Sequence, residues 1–364
     1  MGHPFSWKYT LSSIPAFFRP STEMRVPLHF EPPSFSARGG GKAKFLRLVF
    51  GGDIMTSRTG SLPRVDPRLR ETLRGADLFI ANCEGPVSAG KKGAKGFLPV
   101  SFEMEEAFLR GFLEELGFSP SRCVLSVANN HMGDRGLGGL QATLVNLGRM
   151  GVTAVGQVEE GKPPILALEI NGFRLGITAW THWQNRRTFD DFPAVLRARD
   201  VLGWDWQEIK RNHKIDCLVG IPHWGIEFHH FPRLEERRLA ESLVTKGFDI
   251  LTGHHPHVIQ PLEWLGMNPC FYSLGNVNGP PLPFLSWPIR LGAFFEVALV
   301  AEGSDRGRIA GFAVHPFFRR EVGKKECLSL LEESPTPLRQ KLQDRINRLF
   351  PFPQAGVFRS TISR

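Results

Sequence analysis

Three imidazoles stand within four residues at Gly253-His254-His255-Pro256-His257, directly after the apolar run 248–251. Imidazole is the commonest protein ligand for borderline divalent metals, and two His one residue apart on a turn can address one ion or two neighbouring ions. Further candidate ligands each follow a hydrophobic, strand-like run: Asp53 after 46–50, Glu84 after 78–81, Asn130 after 124–128 and His223 after 217–221. Open α/β sheets gather ligands at the carboxyl ends of their strands, so these five ends are expected to converge on one crevice.

Such a crevice needs an alternating chain to build it. Strands are expected at 45–52, 77–82, 122–128, 215–222 and 248–252, with helices near 67–75, 104–116, 136–150, 204–213 and 232–247. Within 136–150, Leu140, Leu144 and Leu147 recur at helical spacing, and Gly151 occupies the C-terminal cap position. The segments 164–170 and 173–180 around Asn171-Gly172 predict a β-hairpin. Further strands are expected at 257–264, 269–273, 292–300 and 307–317. An α/β first half followed by hairpins predicts two packed mixed sheets with helices outside.

Residues 1–44 are rich in Pro, Ser and Phe without periodicity and read as an irregular arm, residues 45–320 as the folded domain, and 321–364 as a C-terminal helical arm. In that arm the stretch 322–349 is interrupted at Pro335 and Pro337, and Leu338, Leu342, Ile346 and Leu349 share a face, so docking on the body is expected.

With 364 residues, 41% of them hydrophobic, the chain can bury a large core, which excludes disorder of the whole. Its net charge of +9 favours an anionic small-molecule or polymer substrate. The basic residues are scattered and not interleaved with aromatics, so nucleic acid is not expected as a partner. Cys83, Cys123, Cys217, Cys270 and Cys327 are widely spaced and odd in number, which fits buried thiols in a reducing compartment rather than disulfides or a zinc-thiolate site. Residues 1–18 lack a signal-type apolar core, and the longest apolar stretch, 291–301, is short and carries Glu296. No transmembrane segment is expected, and the location expected is cytoplasmic, with peripheral association with the cell envelope as the other placement.

Gly52 to Met55, Asn82 to Glu84, Ala128 to His131 with Asp134 and Gly136 beyond, His223 to Glu227, Gly253 to Pro261 and Tyr272 to Asn276 stand in a fixed order. With these motifs the chain resembles, over about residues 46–318, the CapA-type poly-gamma-glutamate capsule biosynthesis family, a branch of the calcineurin-like metallophosphoesterase superfamily. The resemblance implies an α/β fold, a four-layer α-β-β-α sandwich of two mixed sheets, and two divalent metal ions (Mn, Fe or Zn). It implies that Glu84 bridges the ions, that Asp53 and His257 hold the first, and that Asn130, His223 and His255 hold the second. His131 would be the catalytic general acid. Two departures stand out: Met55 occupies the position where the superfamily carries a His ligand, and Glu84 replaces an Asp. His182 is an accessory ligand that could complete the first shell.

Several residues carry plainer readings. Glu227 either orients a ligand His or faces solvent, and Asn276 is expected to shape the pocket. Asn129 reads as structural, and Asp134 as the cap of the helix starting near Gly136. His254 reads as an ordinary histidine, because in an extended run His255 and His257 share a direction that it does not. The leading function is a dinuclear-metal hydrolase acting on a phosphoester or amide bond of an anionic substrate. A non-catalytic metal-binding scaffold in capsular polymer assembly or export is the alternative, and a mononuclear zinc enzyme is a third.

Overall fold

The computed structural model describes residues 15–19, 21, 24–35, 44–56, 62–89, 102–185, 194–279, 286–323 and 325–351. The first half runs β1 (Phe45–Ile54), β2 (Arg64–Val65), α1 (Pro67–Leu73), β3 (Leu78–Cys83), β4 (Val87–Ser88), β5 (Met104–Glu105) and α2 (Glu106–Glu115). It continues through β6 (Cys123–Ser126), α3 (Gly136–Met150) and β7 (Thr153–Val155). The second half opens with β8 (Leu166–Ile170) and β9 (Phe173–Thr181), followed by α4 (Ala198–Leu202), α5 (Trp206–His213), β10 (Cys217–His223), α6 (Leu234–Thr245) and β11 (Ile250–Thr252). It closes with β12 (Leu262–Leu265), β13 (Asn268–Phe271), β14 (Leu291–Val300), β15 (Ile309–Val322), β16 (Lys325–Ser329) and α7 (Thr336–Leu349).

Fourteen of these strands form two mixed sheets, one of eight in the order β2-β16-β15-β14-β1-β3-β6-β7 and one of six in the order β12-β13-β11-β10-β9-β8, and β4 pairs with β5 apart from them. Their central members, β3 and β10, are buried at every residue. Strands covered on both faces read as continuous apolar runs, which is why the sequence marks them so plainly. Phe271 on β13 packs against Phe295 on β14 at 5.6 Å, so the core lies between the sheets. Outside the second sheet, Trp206 of α5 meets Phe248 at 5.0 Å within a separate buried cluster that also takes Ala240 and Leu243 from α6. The result is the four-layer α-β-β-α sandwich.

The hairpin pairs β8 with β9 antiparallel, and its turn residues Asn171 and Gly172 have φ of 51° and 81°. Two consecutive left-handed residues match the right-handed strand twist, which is the physical basis of the Asn-Gly signal. Gly151 likewise ends α3 at φ 85°.

Two expectations are corrected. Residues 257–261 are not strand; β12 begins at Leu262. The stretch 321–364 is not helical throughout, since Lys325–Ser329 pairs antiparallel with β15 and parallel with β2, extending the larger sheet. The short elements β7 and α4 were not legible as periodic patterns. α7 docks as expected: Leu342, Ile346 and Leu349 are buried, and the following Phe350 reaches Phe271 at 5.4 Å. Among the described residues of 1–44, one helical turn at 15–18 is the regular structure present.

Candidate metal centre

Strand ends from both sheets meet at one place. In β1 the pairing with β3 shifts register between Phe50 and Asp53, a bulge at Gly51-Gly52 that turns Asp53 into the crevice. Gly52 is required by close approach, because a Cβ there would lie 1.8 Å from the Gly275 carbonyl oxygen, and the neighbouring Asp53 N–H donates to that same oxygen at 3.0 Å. Glu84 lies one residue past β3, its N–H bonded to the Ile54 carbonyl at 2.9 Å. From the second sheet come His223, the last residue of β10, and the turn after β11. At Gly253 a Cβ would fall 2.1 Å from the Tyr272 carbonyl oxygen and 2.4 Å from Trp224 Nε1.

Among the described residues two groups of side chains bring ligand atoms within 4.8 Å of one another: Asp53, Glu84 and His223, and Glu227, His255 and His257. Asp53, Glu84, His223, His255 and His257 are buried, and Glu227 stands partly open at the edge. His257 Nδ1 also lies 3.2 Å from Asp53 Oδ2, and His223 Nε2 2.8 Å from Asn130 Oδ1. Asn276 touches the cluster directly, its Oδ1 lying 2.9 Å from His257 Nδ1.

Burial opposes charge on Asp53, Glu84, His223, His255 and His257, and only for Asp53 and His257 do the neighbours overcome it. For Asp53, hydrogen bonds from His254 and His257 overcome burial and hold its carboxyl well below the usual range. Burial and the charge of Asp53 push the Glu84 carboxyl well above it. His257 is raised to about 9 despite burial, through its hydrogen bond to Asp53. Burial lowers His223 and His255 well below the ordinary imidazole value and keeps both neutral, the form that ligates metal.

The residues fit divalent cations. Glu84 Oε1 is buried and accepts no hydrogen bond among the described residues, with His223 Nε2 3.6 Å away. A second carboxylate beside it in the same dry cluster makes a cation the natural complement. Cys83 is no competitor: burial pushes its thiol up, so it stays protonated and bonds the Gly85 carbonyl. A donor set of nitrogen and oxygen without thiolate suits Mn, Fe or Zn.

Other residues depart from expectation. His254 Nδ1 lies 3.1 Å from Asp53 Oδ1, so it belongs to the cluster. His255 and His257 have φ of 96° and 58°, left-handed values that break the strand alternation on which the expectation rested. Asp134 does not cap α3; its Oδ2 accepts from His131 Nδ1 at 2.9 Å and from the Phe102 N–H at 2.6 Å. His182 stands outside both groups, against Trp183 and Trp224, and burial lowers it to about 4. Met55 is buried, with its N–H bonded to Asn278 Oδ1 at 3.0 Å.

Two residues were missed. Asn82 Nδ2 donates to Asp53 Oδ1 at 2.8 Å and also to Glu84 Oε2, holding the two carboxylates together. Its place near the end of β3, two residues before Glu84, could have revealed it, since i and i+2 share a face in an extended chain. Asn185 Oδ1 accepts from Asn130 Nδ2 at 3.0 Å while its Nδ2 lies 3.2 Å from His131 Nε2. Asn129 ties the frame, donating to Asn82 Oδ1 at 3.0 Å and to the Cys83 carbonyl at 2.7 Å.

Comparisons with known proteins agree with the sequence motifs. The family model described as "Bacterial capsule synthesis protein PGA_cap" matches residues 47–279, more than half of the chain. The PGA biosynthesis protein CapA of Bacillus subtilis is 28% identical over 64% of this chain and 62% of its own length. The capsule biosynthesis protein CapA of Bacillus anthracis is 30% identical over 56% of this chain and 51% of its own. The chain thus spans little more than half the length of these relatives. Among solved structures, a phosphatase of Mycoplasma pneumoniae superposes with a TM-score of 0.45 at 12% identity, covering 81% of this chain and 99% of that one. The chain belongs to the bacterial capsule synthesis protein PGA_cap family.

Proposed function

We propose that the chain is a hydrolase dependent on two divalent metals, cleaving a phosphoester or amide bond of an anionic substrate, with 45–320 as the functional unit. The observation that carries this reading is the buried pair Asp53 and Glu84 held among His223, His255 and His257 where strands of both sheets end. Asp53, Glu84, Asn130, His223, His255 and His257 would hold the ions, with Glu227 as a further donor. Divalent cations bound there would supply Lewis acidity and a water acidic enough to attack at neutral pH.

The chain's own residues supply the rest. His131 is the proton donor to the leaving group; Asp134 fixes its Nδ1, so the nitrogen that would carry the transferred proton is Nε2, which Asn185 Nδ2 approaches at 3.2 Å. Phe102 covers the His131 ring, with centroids 4.0 Å apart, and limits water there. Asn82 keeps the two carboxylates in register. Family membership points to a capsular polyanion as the substrate, and the net charge of +9 suits one. Among the described residues no helix is long and apolar enough to cross a membrane.

One observation favours the second reading, a scaffold that keeps a metal without turnover: buried Met55 offers a soft thioether at the position where the resemblance to the superfamily implies a His ligand. Metal content per chain after Mn²⁺, Fe²⁺ or Zn²⁺ loading, measured beside phosphomonoester and phosphodiester hydrolysis, separates the two. Two ions with turnover lost in His131→Ala support the hydrolase. One ion or none, with no His131-dependent turnover, leaves the scaffold.

A further inference from the structure

A second concave site lies beside the metal cluster. Residues 15–19, 21, 25 and 26 and the loop 229–235 enclose a cleft of about 980 Å³, lined in part by Phe18, Arg19, Arg25, Val26, His230 and Phe231. Two rings in series link its wall to the cluster: Phe17 packs on Phe228 at 5.0 Å, and Phe228 on His257 at 6.3 Å.

The charge around this cleft is net positive. Arg233 pairs with both Glu235 and Glu236, so these three carry one negative charge between them, against the positive charges of Arg19, Arg25 and Arg345. Arg19 and Arg25 have no ion-pair partner among the described residues, and both are exposed. Behind the wall, Arg345 of α7 is 6% exposed, donates to the carbonyls of Ser21 at 3.0 Å and His230 at 3.2 Å, and stacks over Phe231 at 5.1 Å. Carbonyl oxygens satisfy its hydrogen bonds without neutralising its charge, and no carboxylate pairs with it among the described residues. His230 reports the same field: burial and the Arg345 charge lower its imidazole to about 3. A buried guanidinium without a counter-charge is costly, and a bound anion would offset that cost.

We propose that this cleft is a binding subsite for a carboxylate-bearing chain, the extension of a substrate whose reacting group lies at the metal cluster. The proposal rests on the hydrolase reading for its link to the cluster. The cleft's own charge carries its anion preference. Arg19 and Arg25 meet the carboxylates, Arg345 sets the positive field from behind, and the apolar lining at Val26 and Phe231 takes the methylene portions. A concave cleft with cations on its walls suits a chain rather than a flat surface.

The test is calorimetric titration of the full-length, chelator-treated protein with a short γ-linked oligoglutamate, run with wild type, Arg19→Ala/Arg25→Ala and Arg19→Lys/Arg25→Lys. Both positions are exposed, and circular dichroism checks that the variants fold. The expected result is salt-sensitive binding without metal, weakened about tenfold or more by the alanine pair and largely restored by the lysine pair. Absent binding, or binding unchanged in the alanine pair, overturns the subsite. Binding that appears only on metal loading also overturns it, because the ligand then sits at the cluster. A single-stranded oligonucleotide binding tighter, and lost in the same variant, overturns the carboxylate assignment. Metal-free binding in a protein that hydrolyses nothing leaves the subsite standing and removes the hydrolase; turnover of small esters with no oligoglutamate binding does the reverse.

Discussion

His131 Nδ1 lies 2.9 Å from Asp134 Oδ2, three residues along the chain, and both side chains are buried. That carboxylate also accepts the Phe102 N–H, so it ties the ring to the segment that covers it.

Asp134→Asn keeps the shape but removes the charge that orients the His131 ring. Turnover is expected to fall roughly 10- to 100-fold with KM nearly unchanged. Metal content per chain should match wild type. Steady-state kinetics beside elemental analysis checks both; a loss of metal would show that Asp134 acts on the cluster instead.

Glu84 is held protonation-prone by burial and by the charge of Asp53, so its carboxyl is a liability without a cation. In chelated protein, Glu84→Gln is expected to raise Tm by about 2–4 °C, equivalent to about 1 kcal/mol. With Mn²⁺ the order reverses: at a hundredfold excess over Kd, wild type gains about 2.7 kcal/mol and the variant gains little. Thermal melts with and without metal read both signs.

Gly253 has no room for a methyl group, with the Tyr272 carbonyl 2.1 Å and Trp224 Nε1 2.4 Å from where it would sit. Gly253→Ala should cost about 3 kcal/mol and displace the turn carrying His254, His255 and His257. Denaturant unfolding and metal titration together should show lower stability and weaker metal affinity.

His230 is lowered to about 3 in the folded chain, against 6.5 for an ordinary imidazole. Between those values the unfolded chain binds the extra proton, so stability is full above pH 6.5 and is lost as pH falls toward 3. From pH 7 to pH 5 the loss is about 2 kcal/mol. His230→Gln, which keeps a donor for the Ala16 carbonyl, should flatten that slope in pH-dependent unfolding.

Much of this architecture is legible in the chain because buried parallel strands are written as unbroken apolar runs and their ends as polar residues. Asp53, Glu84 and His223 follow such runs, and the structure brings their ligand atoms together. His254 escaped because alternation assumes extended backbone, and left-handed angles at His255 and His257 are not encoded as a period. For Asp134, a spacing of three from His131 fits a helix cap and a side-chain pair equally; the intervening 3-10 turn Met132–Arg135 decides it. Asn185 had no local signal, since it reaches the site through its N–H bond to the Asn130 carbonyl at 3.1 Å. In β16, charged Lys325 and Glu326 mask a strand that exists because the long β15 offers it a partner.

Asp53 and Glu84 come from the larger sheet, while His223, His255 and His257 come from the smaller. The group Asp53, Glu84 and His223 draws on both sheets, so a cation there would act as a clasp, and its affinity would measure how well the two halves are seated against each other. A substitution far from the crevice that lets one sheet slide on the other would surface first as weakened metal uptake, before any loss of helix or strand. The ion would be a gauge of alignment across the whole molecule.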